Sequence, residues 1–124
     1  MWVWDGKVVL ITGVTAGIGR ELTSILCKKK ANVIGLARRE NKLEELENAF
    51  SNFKGFVCDV TNYESVKSVI AKVYKNFGKV DVLINNAGGG LAKRITEHTI
   101  NEYEYITKLN YLSSFHLIHE TFLY

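Results

Sequence analysis

A chain of 124 residues that is 47% hydrophobic, 23% charged and 11% aromatic has the balance of one ordinary globular domain, residues 1–124, and is long enough to bury well over half its unfolded surface. Its 16 Lys and Arg against 13 Asp and Glu give a net charge of +3, too mild to imply a nucleic-acid partner, and no apolar run approaches the ~18 residues of a membrane span. Collagen, disordered tails and disulfide scaffolds are excluded, because Cys27 and Cys58 are far apart, in no metal or redox spacing. They read as small buried hydrophobes of a reducing compartment. The opening Met1-Trp2-Val3-Trp4-Asp5-Gly6 lacks the layout of a signal peptide, so the expected location is the cytoplasm.

The first apolar run, Lys7–Thr12, predicts a strand. Thr12-Gly13-Val14-Thr15-Ala16-Gly17-Ile18-Gly19 follows and opens a helix with a stripe at Ile18, Leu22, Ile25 and Leu26. Lys28-Lys29-Lys30 ends that helix, where cations complement the negative end of the dipole. A second strand, Asn32–Ala37, leads through Arg38-Arg39 into a helix striped by Leu43, Leu46 and Phe50. Gly55–Cys58 predicts a third strand. Thr61, three residues before Glu64, makes a capping box for the third helix, whose stripe is Val66, Val69, Ile70, Val73 and Phe77, with Gly78 as its stop. Val80–Ile84 predicts the fourth strand, and from Thr96 the pattern is helical to the end, as two helices meeting near Thr107. No segment repeats, none is linker-like, and there is no proline. Strands without polar alternation, separated by helices, predict an α/β fold: a doubly wound parallel sheet of about four strands, covered on both faces and incomplete.

The turn after the first strand carries chemistry. Pyrophosphate needs backbone N–H groups aimed at it and no side chain in the way; glycines allow the close approach, and the helix start supplies partial positive charge. The spacing is Gly-x-x-x-Gly-x-Gly, longer than the general dinucleotide fingerprint, and here the sequence resembles the short-chain dehydrogenase/reductase family, whose signature is Thr-Gly-x-x-x-Gly-x-Gly. Three more segments match in order: Asp59 after the third strand, Asn85-Asn86-Ala87-Gly88 after the fourth, and Asn110 within Lys108-Leu109-Asn110-Tyr111-Leu112-Ser113. The resemblance implies a Rossmann-like fold. It also implies cofactor contacts at Gly13, Thr15, Ala16, Gly17, Ile18, Gly19, Arg38, Asp59, Val60, Asn86, Ala87 and Gly88, with Asn110 in the catalytic set. Each has a plain structural use as well: Asp59 as the cap of a turn, the Asn-Asn-Ala-Gly run as turn chemistry, Asn110 as a packing residue.

Cofactor choice is read at the end of the second strand, where an acid would select NAD through the ribose hydroxyls. This chain has Ala37 and then Arg38-Arg39, and a guanidinium suits a 2′-phosphate. NADP is therefore expected over NAD, although many NADP-dependent members also carry a basic residue where this chain has Ala16. The family's Ser and Tyr-x-x-x-Lys fall beyond Tyr124 by this alignment. The expectation is the cofactor-binding half of an oxidoreductase acting on a small carbonyl or alcohol, inactive alone; the alternative is a non-catalytic nucleotide-binding or partner-binding module. Tyr63-Glu64-Ser65-Val66-Lys67 has the catalytic spacing but opens the wrong helix, and His116 with His119 lacks a third ligand, so no metal is expected. The expected partners exclude nucleic acid and membrane but include further copies of the chain, because an uncovered fourth strand recruits other edges.

Overall fold

Runs of Val, Ile and Leu form β1 (Val8–Thr12), β2 (Asn32–Ala37), β3 (Phe53–Val57) and β4 (Val82–Ile84) in the computed structural model, which describes residues 2–124. They make one sheet in the order β3-β2-β1-β4, every pair parallel, with Val8 opposite Asn32, Val33 opposite Phe53 and Val9 opposite Val82. The helices are α1 (Gly17–Lys28), α2 (Glu40–Ala49), α3 (Tyr63–Phe77), α4 (Ile100–Thr107) and α5 (Ser113–Phe122). This is the Rossmann-like α/β arrangement that the strand-helix alternation predicts.

β1 is buried along its whole length and feeds two cores. Val8 and Leu10 join Ile34, Leu36, Val66, Ile70, Val73 and Leu117 under α3 and α5. Val9 and Ile11 point the other way, to Val33, Leu26, Leu43 and Leu46 under α1 and α2. Successive side chains of a strand face opposite ways, so a strand covered twice must be apolar throughout.

The structure corrects several boundaries. β3 begins at Phe53 rather than Gly55, because the Asn52 amide donates to Cys27 O at 2.9 Å and Ala31 O at 2.7 Å and pins the strand's entry. β4 is shorter than predicted: Asp81 Oδ2 accepts the Val8 N–H at 2.8 Å, and the Asp81 N–H donates to Val8 O. α1 turns a different face inward. Its buried residues are Gly19, Thr23, Leu26 and Cys27, whereas Ile18 is 73% exposed and Ile25 is exposed too. The stripe misleads at the start of the helix, where α1 comes close to the β1 turn and Gly19 faces it, whereas Leu26 of the stripe is buried as expected.

The cap of α3 is Asn62, whose side chain accepts from the Ser65 N–H; Thr61 instead bonds Asp59. Gly78 ends α3 at φ 74°, as expected. The segment from Thr96 is not helical throughout, since a 3₁₀ turn spans Ile95–Glu97 and α4 starts at Ile100 after a Thr99–Glu102 capping box. α4 ends at Thr107, where the two helices were expected to meet, and a π-helical turn, Lys108–Leu112, carries it on into α5.

Candidate functional site

The carboxyl ends of the strands meet around the turn after β1. Thr12 Oγ1 accepts the Asn86 N–H at 3.0 Å and the Ala87 N–H at 2.8 Å, while Asn86 Nδ2 donates to Thr12 O at 3.0 Å and Gly13 O at 3.1 Å. The loops after β1 and β4 are thus locked together. Gly13 lies at φ +70°, and a Cβ there would stand 3.0 Å from Ala87 Cα. A Cβ on Gly19 would drive into Gly13 O and the Asn86 amide. These two glycines let helix, turn and β4 loop close on one another.

α1 begins without a cap. Ala16 occupies the capping position, no side chain accepts there, and the first turn holds no acid. Helix starts are ordinarily satisfied by Ser, Thr, Asp or Asn; here no side chain accepts from the first-turn N–H groups, and the dipole at that point favours negative charge.

Beside that helix start lies a cleft of about 400 Å³. Thr15, Ala37, Arg38 and Arg39 form one wall, Cys58, Asp59 and Val60 another, and Ala87, Gly88, Tyr105 and Leu109 the side toward α4. Arg39 Nη2 donates to Thr15 Oγ1 at 3.0 Å, and Arg38 Nη1 to the Tyr105 hydroxyl at 3.4 Å. Both guanidiniums are exposed at the cleft mouth. Asp59 Oδ1 accepts from the Thr61 N–H at 3.0 Å and the Thr61 hydroxyl at 2.7 Å, so the expected turn cap is real and leaves the second carboxylate oxygen unused by it. Burial pushes the Cys58 thiol up in pKa, against the lowering effect of the Ser65 hydrogen bond, so Cys58 is a neutral wall and not a nucleophile.

At the far end, Asn110 grips the β4 loop. Its Nδ2 donates to Gly89 O at 2.7 Å, and its Oδ1 accepts the Gly89 N–H at 2.9 Å. A Cβ on Gly88 would stand 2.8 Å from that oxygen. Asn110 sits in the π-helical turn, which adds a residue to the helical circuit and re-aims side chains, a feature frequent at functional sites.

Of the residues singled out from sequence, Gly13, Thr15, Arg38, Asp59, Val60, Ala87 and Gly88 line the cleft. Ala16, Gly17, Ile18 and Gly19 frame the helix start beside it. The Asn86 side chain lies behind the turn as a tie, and Asn110 braces the loop from outside. Sequence reasoning missed Arg39 as a cleft residue, although it stood in the dipeptide already noted, and missed Tyr105 and Leu109. Those two lie four apart on one helix face, with Leu109 adjacent to Asn110, so projecting the helix around Asn110 would have found them.

The two decoys stay away from the cleft. The Tyr63 hydroxyl donates to Glu120 of α5, which is 3% exposed, and the Tyr63 ring lies 4.9 Å from that of His116. The Glu120 hydrogen bond holds the Tyr63 phenol above its ordinary pKa, with burial adding to it, the reverse of what a catalytic phenolate requires. His119 stacks on Phe115, with ring centroids 6.1 Å apart. Among the described residues no helix is long and apolar enough to cross a membrane.

Known proteins share this arrangement. The sequence model of the short chain dehydrogenase family matches residues 7–124. The 3-oxoacyl-[acyl-carrier-protein] reductase FabG of Escherichia coli (strain K12) is 36% identical over 115 residues, which are 92% of this chain and 47% of that protein. Farnesol dehydrogenase of Aedes aegypti is 43% identical over 90 residues, 68% of this chain and 37% of that protein. The crystal structure of a short-chain dehydrogenase from Streptomyces avermitilis superposes with a TM-score of 0.91 at 32% identity, over 95% of this chain and 44% of that one. The chain spans about half the length of the curated relatives it matches.

Proposed function

The chain belongs to the short chain dehydrogenase family, a family of oxidoreductases, and from that membership we propose that its cleft binds NADP in preference to NAD. The protein that contains it transfers hydride between that cofactor and a small carbonyl or alcohol. The observation that carries the reading is the pair of guanidiniums, Arg38 and Arg39, gathered with the Thr15 hydroxyl where β2 ends in Ala37 instead of an acid. Charge-assisted bonds to a 2′-phosphate satisfy all three, whereas a bare ribose hydroxyl does not.

The residues present suit the rest of the cofactor. The uncapped start of α1 suits the pyrophosphate. Leu36, Ala37 and Val60 make an apolar slot for a flat ring, with the Asp59 carboxylate at its edge to accept from an exocyclic amine. Ala87 and Gly88 offer backbone toward the second ribose, and Asn110 keeps that loop in place. NADP, when bound, supplies or takes the hydride.

The lining of the cleft holds no Tyr-x-x-x-Lys pair, so the 124-residue chain by itself is expected to bind cofactor without carbonyl reduction above background. That favours, for this stretch alone, the second reading of a nucleotide-binding module. The buried free thiols Cys27 and Cys58 suit a reducing cytoplasm.

Cofactor titrations test the assignment. A charge-assisted contact of ~1.5–3 kcal/mol gives NADPH roughly a tenfold to hundredfold advantage over NADH, and Arg38→Asp reverses the order. Equal affinity for the two in the wild-type chain overturns it.

A further inference from the structure

The cleft opens at the carboxyl ends of the strands, and the opposite end of the sheet carries a surface of another kind. Lys7 precedes β1, Lys28-Lys29-Lys30 lie between α1 and β2, and Lys79 precedes β4. Backbone bonds hold these segments side by side: the Gly6 N–H donates to Lys30 O at 3.0 Å, the Asn32 N–H to Lys7 O at 2.8 Å, and the Asp81 N–H to Val8 O at 2.9 Å. Against the five lysines stand Asp5 and Asp81, and Asp81 is engaged by the Val8 N–H at 2.8 Å and by Lys79 at 3.1 Å. These seven residues sum to +3, and Lys75 in the last turn of α3 adds a sixth lysine at the same end against Glu47 in the last turn of α2. Beside the lysines, Trp2 and Val3 are 56% and 62% exposed. Trp2 stands edge-on to Trp4 with ring centroids 5.9 Å apart, and Lys7 Nζ lies 5.1 Å over its ring.

We propose that this amino end of the sheet docks on an anionic phospholipid bilayer, with Trp2 and Val3 entering the headgroup region and the lysines facing lipid phosphates. Tryptophan is the side chain best suited to a membrane–water interface, and clustered lysines are attracted to an anionic leaflet over about a Debye length. The cations of this end are all lysines. Arg20, Arg38, Arg39 and Arg94 stand in other parts of the chain, and it is the guanidinium fork, absent here, that nucleic-acid recognition favours. Surface docking needs no spanning segment, so the missing apolar run behind the expectation of no membrane partner does not bear on it. Docked this way, the cleft faces water a strand length away, about 16 Å. The inference is independent of which cofactor the cleft takes.

Vesicle flotation tests it, because aggregates sink and bound protein rises. The full chain is mixed at low salt with vesicles of phosphatidylcholine, or of phosphatidylcholine with about one-third phosphatidylserine. Wild type is expected to float with the anionic vesicles alone, with a blue shift of tryptophan emission, and to be released by high salt. Trp2→Ser abolishes the blue shift. The double variant Lys28→Gln, Lys29→Gln weakens binding about fivefold per lysine removed. Thermal unfolding of Trp2→Ser should match wild type, since that side chain is exposed, and the lysine variant should stay folded with a midpoint only slightly lowered by the lost charges at the end of α1. No flotation, equal flotation with both vesicles, binding that both variants retain in full, or tight binding to a single-stranded oligonucleotide without flotation overturns the proposal.

Discussion

Gly19 shows what a single residue does in this fold. It stands where any side chain would collide with Gly13 O and Asn86, so the fit of α1 against the β1 turn depends on an absent methyl group. That was legible, because the glycine spacing after an apolar strand has one physical reading. The inward face of α1 was not: Thr23 is buried with its hydroxyl on Gly19 O at 2.8 Å, while Ile18 looks apolar and faces water. Tyr63 is the other lesson at this scale, because spacing alone made it resemble a catalytic residue. Its phenol is raised in pKa chiefly by the hydrogen bond to Glu120. The protonated form is therefore favoured by folding, and its stabilising effect is complete below the ordinary tyrosine pKa of about 10 and lost as pH rises through the higher folded value. Tyr63→Phe should leave cofactor binding unchanged, lower stability at neutral pH and flatten the alkaline loss. Denaturant titrations across pH read this out; a variant that loses cofactor binding instead would give Tyr63 a place in the site.

The π-helical turn is the element on which the site's far end depends. Periodicity predicted helix here and could not see the extra residue, since the apolar pattern on either side stays nearly in phase. The turn places Asn110 so that one side chain makes two hydrogen bonds to Gly89. Each such bond is worth ~0.5–1.5 kcal/mol. Asn110→Ala should therefore free the Gly88–Gly90 loop to exchange its amide hydrogens faster and weaken NADPH binding roughly fivefold to tenfold, with the unfolding midpoint little changed. Faster exchange spread through β1 and β2 would instead mean that Asn110 holds the sheet rather than the loop. Element order and parallel pairing were readable from the alternation of short Val/Ile runs with helical stripes. The start of β3 was not, because Lys54 and Gly55 in an edge strand carry little apolar signal, and its anchor is a side chain of the preceding turn.

Taken as a whole, the sheet is central-strand heavy and thinly covered on one side. β4 pairs with β1 alone, and its three residues are half-buried. On α5, Leu117 faces the core, whereas Phe115 and Ile118 are exposed and Phe122 is 84% exposed. An open edge with apolar flanks recruits other chains, so we expect the 124-residue chain to self-associate as its concentration rises in sedimentation runs. A monomer at all concentrations would contradict that.

We propose that one cleft, built from the carboxyl ends of all four strands, holds a 2′-phosphorylated dinucleotide. Amide chemical-shift mapping with NADP⁺ tests it most directly. Shifts are expected to gather at Gly13–Gly19, Arg38–Arg39, Cys58–Val60 and Asn86–Gly88, and to be larger at Arg38 and Arg39 than NAD⁺ produces. Shifts absent from these four segments, or equal at the two arginines for both nucleotides, would contradict it.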